Sequence, residues 1–324
     1  GARWGWVKPG VDWRNLGFTP QFDVNAPMAA SMWQAETGQR VDGVLAVDLE
    51  ALHQILLATG PVTLDDGSVV NAGDVVQLLA HDQYEGLSDV PTTQQNEIES
   101  GREDRMGSLA QSALGALENE SLNLKSLSNA MTAATEGRHL LAWSRSPQAE
   151  AAWVQGGVAG ELSADSLMTA VINRGGNKLD QYLSVHAGLS IRTRGKSSQA
   201  TLTVELHNDT PPGQSQFIAG PYPGLGTVYG EYRGVLAVNL PGYASVPHVG
   251  GDPPLDALGA EGPTWVIATG VDVKAGQSEQ VVVRFTLPQA SGQIQVLPTA
   301  RLNPVTWSYR GTTTTDAVPF TVSF

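Results

Sequence analysis

Cysteine is absent from this chain of 324 residues. No disulfide framework, cysteine-ligated zinc or iron–sulfur centre is therefore open to it. No apolar run approaches the roughly 18 residues that a membrane-crossing helix requires, and residues 1–12 lack the apolar core of a signal peptide. Basic residues are few: 19 Lys and Arg stand against 32 Asp and Glu, a net charge of −13. The cations are scattered, which excludes the basic surface that a nucleic acid partner demands and suits an anionic membrane surface poorly. The six histidines show no zinc-ligand spacing, and the G-x-S-x-G signature of a serine nucleophile is missing. Internal repetition at solenoid or propeller periods is missing too.

What is present is the composition of a folded, well-solvated protein. Hydrophobic residues make up 41% and charged residues 16%, enough apolar side chain for two cores and no charge block that would unfold them. Lysine is sparse while Gly, Thr, Ser, Gln and Asn are abundant, which predicts a secreted or surface-exposed protein whose acidity serves solubility. The opening Gly-Ala-Arg-Trp-Gly-Trp resembles neither a start site nor a domain edge. The expectation is a cleavage point or excised edge, with the missing N-terminal portion of the same precursor as a partner. Trp4, Trp6 and Trp13 would pack against that portion or stack on sugar rings.

Along the chain, residues 1–22 read as an irregular lead-in. Asp23 or Asn25 is placed to cap a helix carrying Ala29, Met32 and Trp33, with Pro27 near its first turn and Gly38 at its end. The apolar run from Val41 to Val47 predicts a buried strand, and Asp48 predicts the cap of a second helix with Leu49, Leu52, Ile55 and Leu56 on one face. Asp65-Asp66-Gly67 predicts a hairpin turn between 62–64 and 68–70. Helices are expected over 72–84, from Ile98 with a stripe of Met106, Leu109, Ala113 and Leu117, and over 122–135, with a loop over 86–96. A strand over 139–143 and a short helix over 147–154 follow. This alternation predicts an α/β domain over 23–180. From about 181 to 324 the period changes to two, in 189–193, 200–206, 235–240, 265–273 and 280–287, separated by Gly, Pro, Asn and Asp turns. That pattern predicts an all-β, Ig-like sandwich.

Two stretches carry a resemblance. Gly38-Gln39-Arg40-Val41-Asp42-Gly43-Val44-Leu45-Ala46-Val47-Asp48, followed by Leu56-Leu57-Ala58-Thr59-Gly60-Pro61-Val62, resembles the bacterial domain of unknown function 4012 family. Asn177-Lys178-Leu179-Asp180-Gln181-Tyr182-Leu183 and Val204-Glu205-Leu206-His207-Asn208 are similar to its later blocks, so the resemblance runs over residues 18–298. It implies an extracytoplasmic envelope protein, common in actinobacteria, tethered to the membrane by an N-terminal anchor. More distantly, Asn25, Thr37-Gly38, Val41-Asp42, Asp48, Gly60-Pro61-Val62 and Asp104-Arg105 are similar in order to LytR-CpsA-Psr enzymes. Those transfer glycopolymers from a polyprenyl pyrophosphate carrier to peptidoglycan, with arginines on the pyrophosphate and acidic residues on Mg²⁺. The resemblance implies a lipid-linked or cell-wall glycan as partner. Here His81-Asp82-Gln83-Tyr84-Glu85 replaces the arginine-rich stretch before the last motif.

On the residues themselves, Arg102 and Arg105 stand three apart near a helix start and would share a face suited to a diphosphate. The alternative is that they pair with Glu99, Glu103 or Asp104. Asp42, inside an apolar run, would bind Mg²⁺ or organise the turn at Gly43. In the enzymatic reading Arg102 and Arg105 hold pyrophosphate while Asp42 and Asp104 support Mg²⁺. The other reading is a non-catalytic structural or adhesion subunit of the cell surface.

Overall fold

The computed structural model describes residues 4–84, 92–117, 123–222 and 224–324, side chains of 92–100, 102 and 103 excepted. The chain folds into a helical N-terminal part and two six-stranded sheets, and the lead-in ties the two together.

Helix α1 (Phe22–Thr37) ends at Gly38, whose φ of 72° and N–H bond to the Gln34 carbonyl (2.9 Å) close the last turn. Its start differs from expectation. The cap position is Gln21, without a capping side chain, and both Asp23 and Asn25 lie inside the helix, as does Pro27. Asn25 turns its amide back to the Thr19 carbonyl (2.8 Å). Strand β1 (Gly43–Val47) is not a buried strand. It pairs antiparallel only with β4 (Leu140–Ser144), from Gly43↔Ser144 to Val47↔Leu140, and Leu45 is 53% exposed. Strand–helix alternation therefore does not build a parallel sheet here, because the partner of β1 arrives from the far end of the helical part.

The helical core lies between α2 (Leu49–Thr59), the hairpin β2 (Val62–Thr63) and β3 (Val69–Val70), α3 (Ala72–Ala80) and α4 (Thr92–Ala116). Leu52, Ile55, Leu56, Val75, Leu79, Leu109 and Ala113 interlock there. The α4 stripe is buried at Leu109 and Ala113, while Met106 faces out. Helix α4 begins at Thr92, so the second half of the expected 86–96 loop is helical; residues 86–91 lie outside the described residues. Asn123 caps α5 (Leu124–Glu136) through Lys125 and Ser126, and Ser146 caps α6 (Pro147–Gln155). Among the described residues no helix is long and apolar enough to cross a membrane.

Then come β5 (Ser166–Asn173), β6 (Leu183–Arg194), β7 (Ser197–Asn208), the short α7 (Gln216–Ala219), β8 (Tyr232–Leu240), β9 (Ser245–Val249), β10 (Leu255–Glu261), β11 (Thr264–Val273), β12 (Ser278–Leu287), β13 (Gln293–Val296), β14 (Thr306–Tyr309), β15 (Thr312–Thr315) and β16 (Phe320–Ser323). One sheet runs β10-β11-β8-β5-β13-β16 and the other β15-β14-β6-β7-β12-β9. Inner-facing Leu167, Leu202, Leu206, Leu236, Val283 and Trp307 belong to one core shared by both sheets. Each sheet contains one parallel pair, β5 with β13 and β6 with β14, with antiparallel neighbours on either side. β5 joins these sheets although it precedes residue 181.

The outer face of the first sheet is apolar as well: β8 and β11 are buried along nearly their whole length. The lead-in covers it. Trp4, Val7 and Phe18 pack on Val235, Ala237, Val266 and Ala268, and the Trp4 indole donates to the buried Glu261 carboxylate (2.5 Å). Glu261 also accepts from Asn239 (2.9 Å), so the carboxylate is not left unpaired in this apolar setting. The leading tryptophan thus packs against the chain's own C-terminal sheet. Trp6 and Trp13 remain half exposed, with Arg174 stacked over Trp6 at 4.4 Å.

Candidate functional site

Where the lead-in, α1 and the β1–β4 ribbon meet the outer face of the first sheet, they leave a cleft of about 550 Å³. Met168, Ala170 and Ile172 of β5 and Ala237 and Asn239 of β8 line it from the sheet. Phe22, Ala26 and Ala29 of α1 line it from the helix, and Val44, Leu45, Ala46 and Val47 from the ribbon. Strand alternation explains the sheet's share: one set of side chains faces the inter-sheet core, and the other faces the cleft. Most of the lining is apolar, and small residues at 26, 29, 46, 170 and 237 keep the space open.

The polar part of the wall centres on Asp48, Arg138 and His139. Asp48 performs two tasks. One carboxylate oxygen accepts from the Ala51 N–H (3.0 Å), capping α2 as the sequence predicts. The other meets Nδ1 of the buried His139 at 2.7 Å, and the Asp48 N–H donates to the His139 carbonyl (3.2 Å). Gly137 makes room for this imidazole: a Cβ there would lie 2.4 Å from the His139 ring. Arg138 donates from its two terminal nitrogens to the carbonyls of Gly160 (2.8 Å) and Pro20 (3.1 Å). Burial pulls its guanidinium down to about 10, so it stays cationic at neutral pH. Arg138 also lines a second cavity of about 370 Å³, together with Glu136, Glu161, Ser163, Gln295 and Leu297. The Thr299 hydroxyl, at the cleft wall, is buried without a hydrogen-bond partner.

The residues expected from sequence lie elsewhere. Arg105, on α4, reaches Asp66 in the β2–β3 turn at 2.6 Å, and both side chains are more than a third exposed. That guanidinium, with help from Ser68, holds the Asp66 carboxyl well below the usual carboxylate range. The arginine is thus engaged by a turn residue; the side chains of Glu99 and Glu103, the alternative partners, lie outside the described residues. Asp104 is exposed on the same helix, and the Arg102 side chain lies outside the described residues. Asp42 is exposed ahead of β1, where its backbone carbonyl accepts from the Arg145 N–H (2.8 Å). No hydrogen bond or ion pair among the described residues joins Asp42 to Arg105 or Asp104. Nor, among those residues, do three or more His, Asp or Glu side chains gather in a group able to hold a metal ion. A lone exposed carboxylate at 42 does not by itself fit a Mg²⁺ site, and no step is derived through that ion.

Arg138 and His139 escape sequence reading because one sits at a helix end and the other at a strand start, where neither breaks a pattern. The offset at Gly137-Arg138, where the glycine that ends α5 stands one residue before the left-handed position, shows only in the folded backbone.

Residues 1–84 match the family model described as a protein of unknown function (DUF4012). The match supports the resemblance carried by 38–48 and 56–62; the later blocks lie beyond it. No curated protein and no solved structure matches the chain.

Proposed function

We propose that this chain is an extracytoplasmic cell-envelope protein that holds the polyprenyl-linked carrier of a cell-wall glycopolymer, binding rather than transferring it. One observation carries the reading: the cleft against the first sheet combines a long apolar lining with a single cationic side chain, Arg138, in its wall. An amphiphile with an apolar chain and an anionic head is the ligand class that such a lining suits. The distant resemblance to LytR-CpsA-Psr enzymes points to the same carrier. Binding is preferred to transfer because Arg105 is engaged by Asp66 and, among the described residues, the exposed Asp42 belongs to no group of three or more side chains able to hold a metal ion.

A second reading, a structural or adhesion subunit, is favoured by that same Arg105–Asp66 pair, which gives the α4 arginine a purely structural task. Calorimetry with geranylgeranyl pyrophosphate, with and without Mg²⁺, separates the two. Wild-type protein should bind, Arg105→Ala should bind as wild type, and Ala170→Trp, which fills the cleft from β5, should bind at least about tenfold more weakly, a loss of about 1.4 kcal/mol. Absence of binding to folded wild-type protein would leave the structural subunit. Binding lost in Arg105→Ala and kept in Ala170→Trp would move the site to α4.

A further inference from the structure

Arg138 occupies a costly position. It directly follows Gly137, which closes α5, and adopts φ of 61°, the left-handed region where glycine is the inexpensive residue. Gly137 instead has φ of −73°. The glycine leaves space for the His139 ring, and an arginine bears the strained left-handed backbone. Strain of this kind persists where the side chain that bears it is needed.

The surroundings of that side chain are equally unusual. The Arg138 guanidinium is half-buried, and cations drawn largely out of water are ordinarily paired with a carboxylate. Arg138 has only the neutral carbonyls of Gly160 and Pro20, and no carboxylate of the described residues forms an ion pair with it. A guanidinium carries five N–H donors, so those two bonds leave most of its donor capacity unspent. Gly160 assists: its φ is 67°, and a Cβ there would crowd Leu141 at 2.8 Å and the Arg138 guanidinium at 3.3 Å. Among the described residues Arg138 alone lines both cavities, with the mostly apolar cleft to one side and the pocket of Glu136, Glu161, Ser163 and Gln295 to the other.

We propose that Arg138 is an anion-binding residue, taking a phosphate or pyrophosphate group at the junction of the two cavities. The choice of phosphate chemistry rests on the carrier reading above; the vacant charge does not. An anion at this point supplies the counter-charge that the fold withholds, and the fork of remaining donors suits two oxygens of one phosphate. Binding two carbonyls would not require a cation, so stapling the loops at Pro20 and Gly160 leaves the charge unexplained.

The test titrates three probes by calorimetry: inorganic pyrophosphate, geranylgeranyl pyrophosphate and uncharged geranylgeraniol. Wild type, Arg138→Gln and Arg192→Gln are compared; Arg192, exposed on β6, controls for net charge. The expected result is that both pyrophosphates bind wild type and Arg192→Gln, and bind Arg138→Gln at least about tenfold more weakly, as loss of a charge-assisted hydrogen bond implies. Tighter binding of the lipid than of inorganic pyrophosphate identifies the source as a lipid head. Equal binding of the two keeps Arg138 as an anion site and defeats the carrier reading. Lipid binding unchanged in Arg138→Gln overturns the role of Arg138 while the carrier reading survives. No binding of either anion to folded wild type overturns both. Should Arg138→Gln fail to fold, the wild-type arginine Nε–H resonance of Arg138 is followed on adding pyrophosphate, and a resonance that does not move overturns the proposal.

Discussion

Asp316 offers a sharp test of the energetics of the two-sheet core. It directly follows β15 and is 3% exposed; one carboxylate oxygen accepts from the Val305 N–H at 2.7 Å, and the other has no hydrogen-bond partner. Burial pushes its carboxyl up to about 6 from 3.8, against the opposing pull of that N–H bond. In the unfolded chain the group ionises near its ordinary value, so between pH 4 and 6 the folded protein binds the extra proton. Stability then falls as pH rises through that window, and the loss is complete above the folded value. A displacement of about two units corresponds to at most about 3 kcal/mol. Asp316→Asn removes the titration and keeps an acceptor for Val305. Its two amide hydrogens find no partner, an offset of about 1–3 kcal/mol that is the same at every pH. The informative quantity is therefore the difference in unfolding free energy between variant and wild type, from urea melts at pH 3.5, 5 and 7.5. That difference should move by about 1–3 kcal/mol in favour of the variant as pH rises. A difference that stays flat across the series would refute the burial of an ionisable Asp316.

Three further outcomes follow from the packing. Trp4→Ala removes the anchor of the lead-in and leaves the Glu261 carboxylate short of a donor, so about 3–5 kcal/mol of stability should be lost in denaturant melts. Asp48→Ala removes the α2 cap and the partner of His139 together and should cost about 2–3 kcal/mol, whereas Asp48→Asn, which keeps the cap acceptor, should lose less. Arg105→Ala breaks only an exposed pair, and its melting midpoint should match wild type within error, with no dependence on added salt.

Much of the secondary structure was legible because its signals are local. Asp48 as a cap, Gly38 as a stop, Asp65-Asp66-Gly67 as a turn and the alternation of β7 and β12 each depend on a few neighbouring residues and the backbone they favour. Strands β8 and β11, expected to alternate, are buried on both faces. Failures occur where the partner is distant in sequence. The run before Asp48 is apolar enough for a central strand, yet β1 has one partner strand and a cleft beside it, so Leu45 stays exposed. Residues 4–21 carry no apolar periodicity in sequence. Their order comes from an apolar outer sheet face more than two hundred residues away, which Trp4 and Phe18 cover.

The candidate site shows the same limit more sharply. Arg102, Arg105 and Asp104 stand out in sequence because charges cluster on one helix, but Arg105, the arginine whose side chain is described, is satisfied by the turn that lies across from it, at Asp66. The cleft residues come from a 3-10 turn at Trp13–Phe18, α1, β1, β4, β5, β8 and the stretch at Thr299, each contributing from one to four unremarkable side chains. No window of the sequence contains the site, so no local pattern could reveal it. What distinguishes Arg138 is a three-dimensional imbalance, a strained and half-buried cation with carbonyl partners alone. An imbalance of that kind is visible only once burial and partners are known, and it points to a ligand charge that the protein itself does not supply.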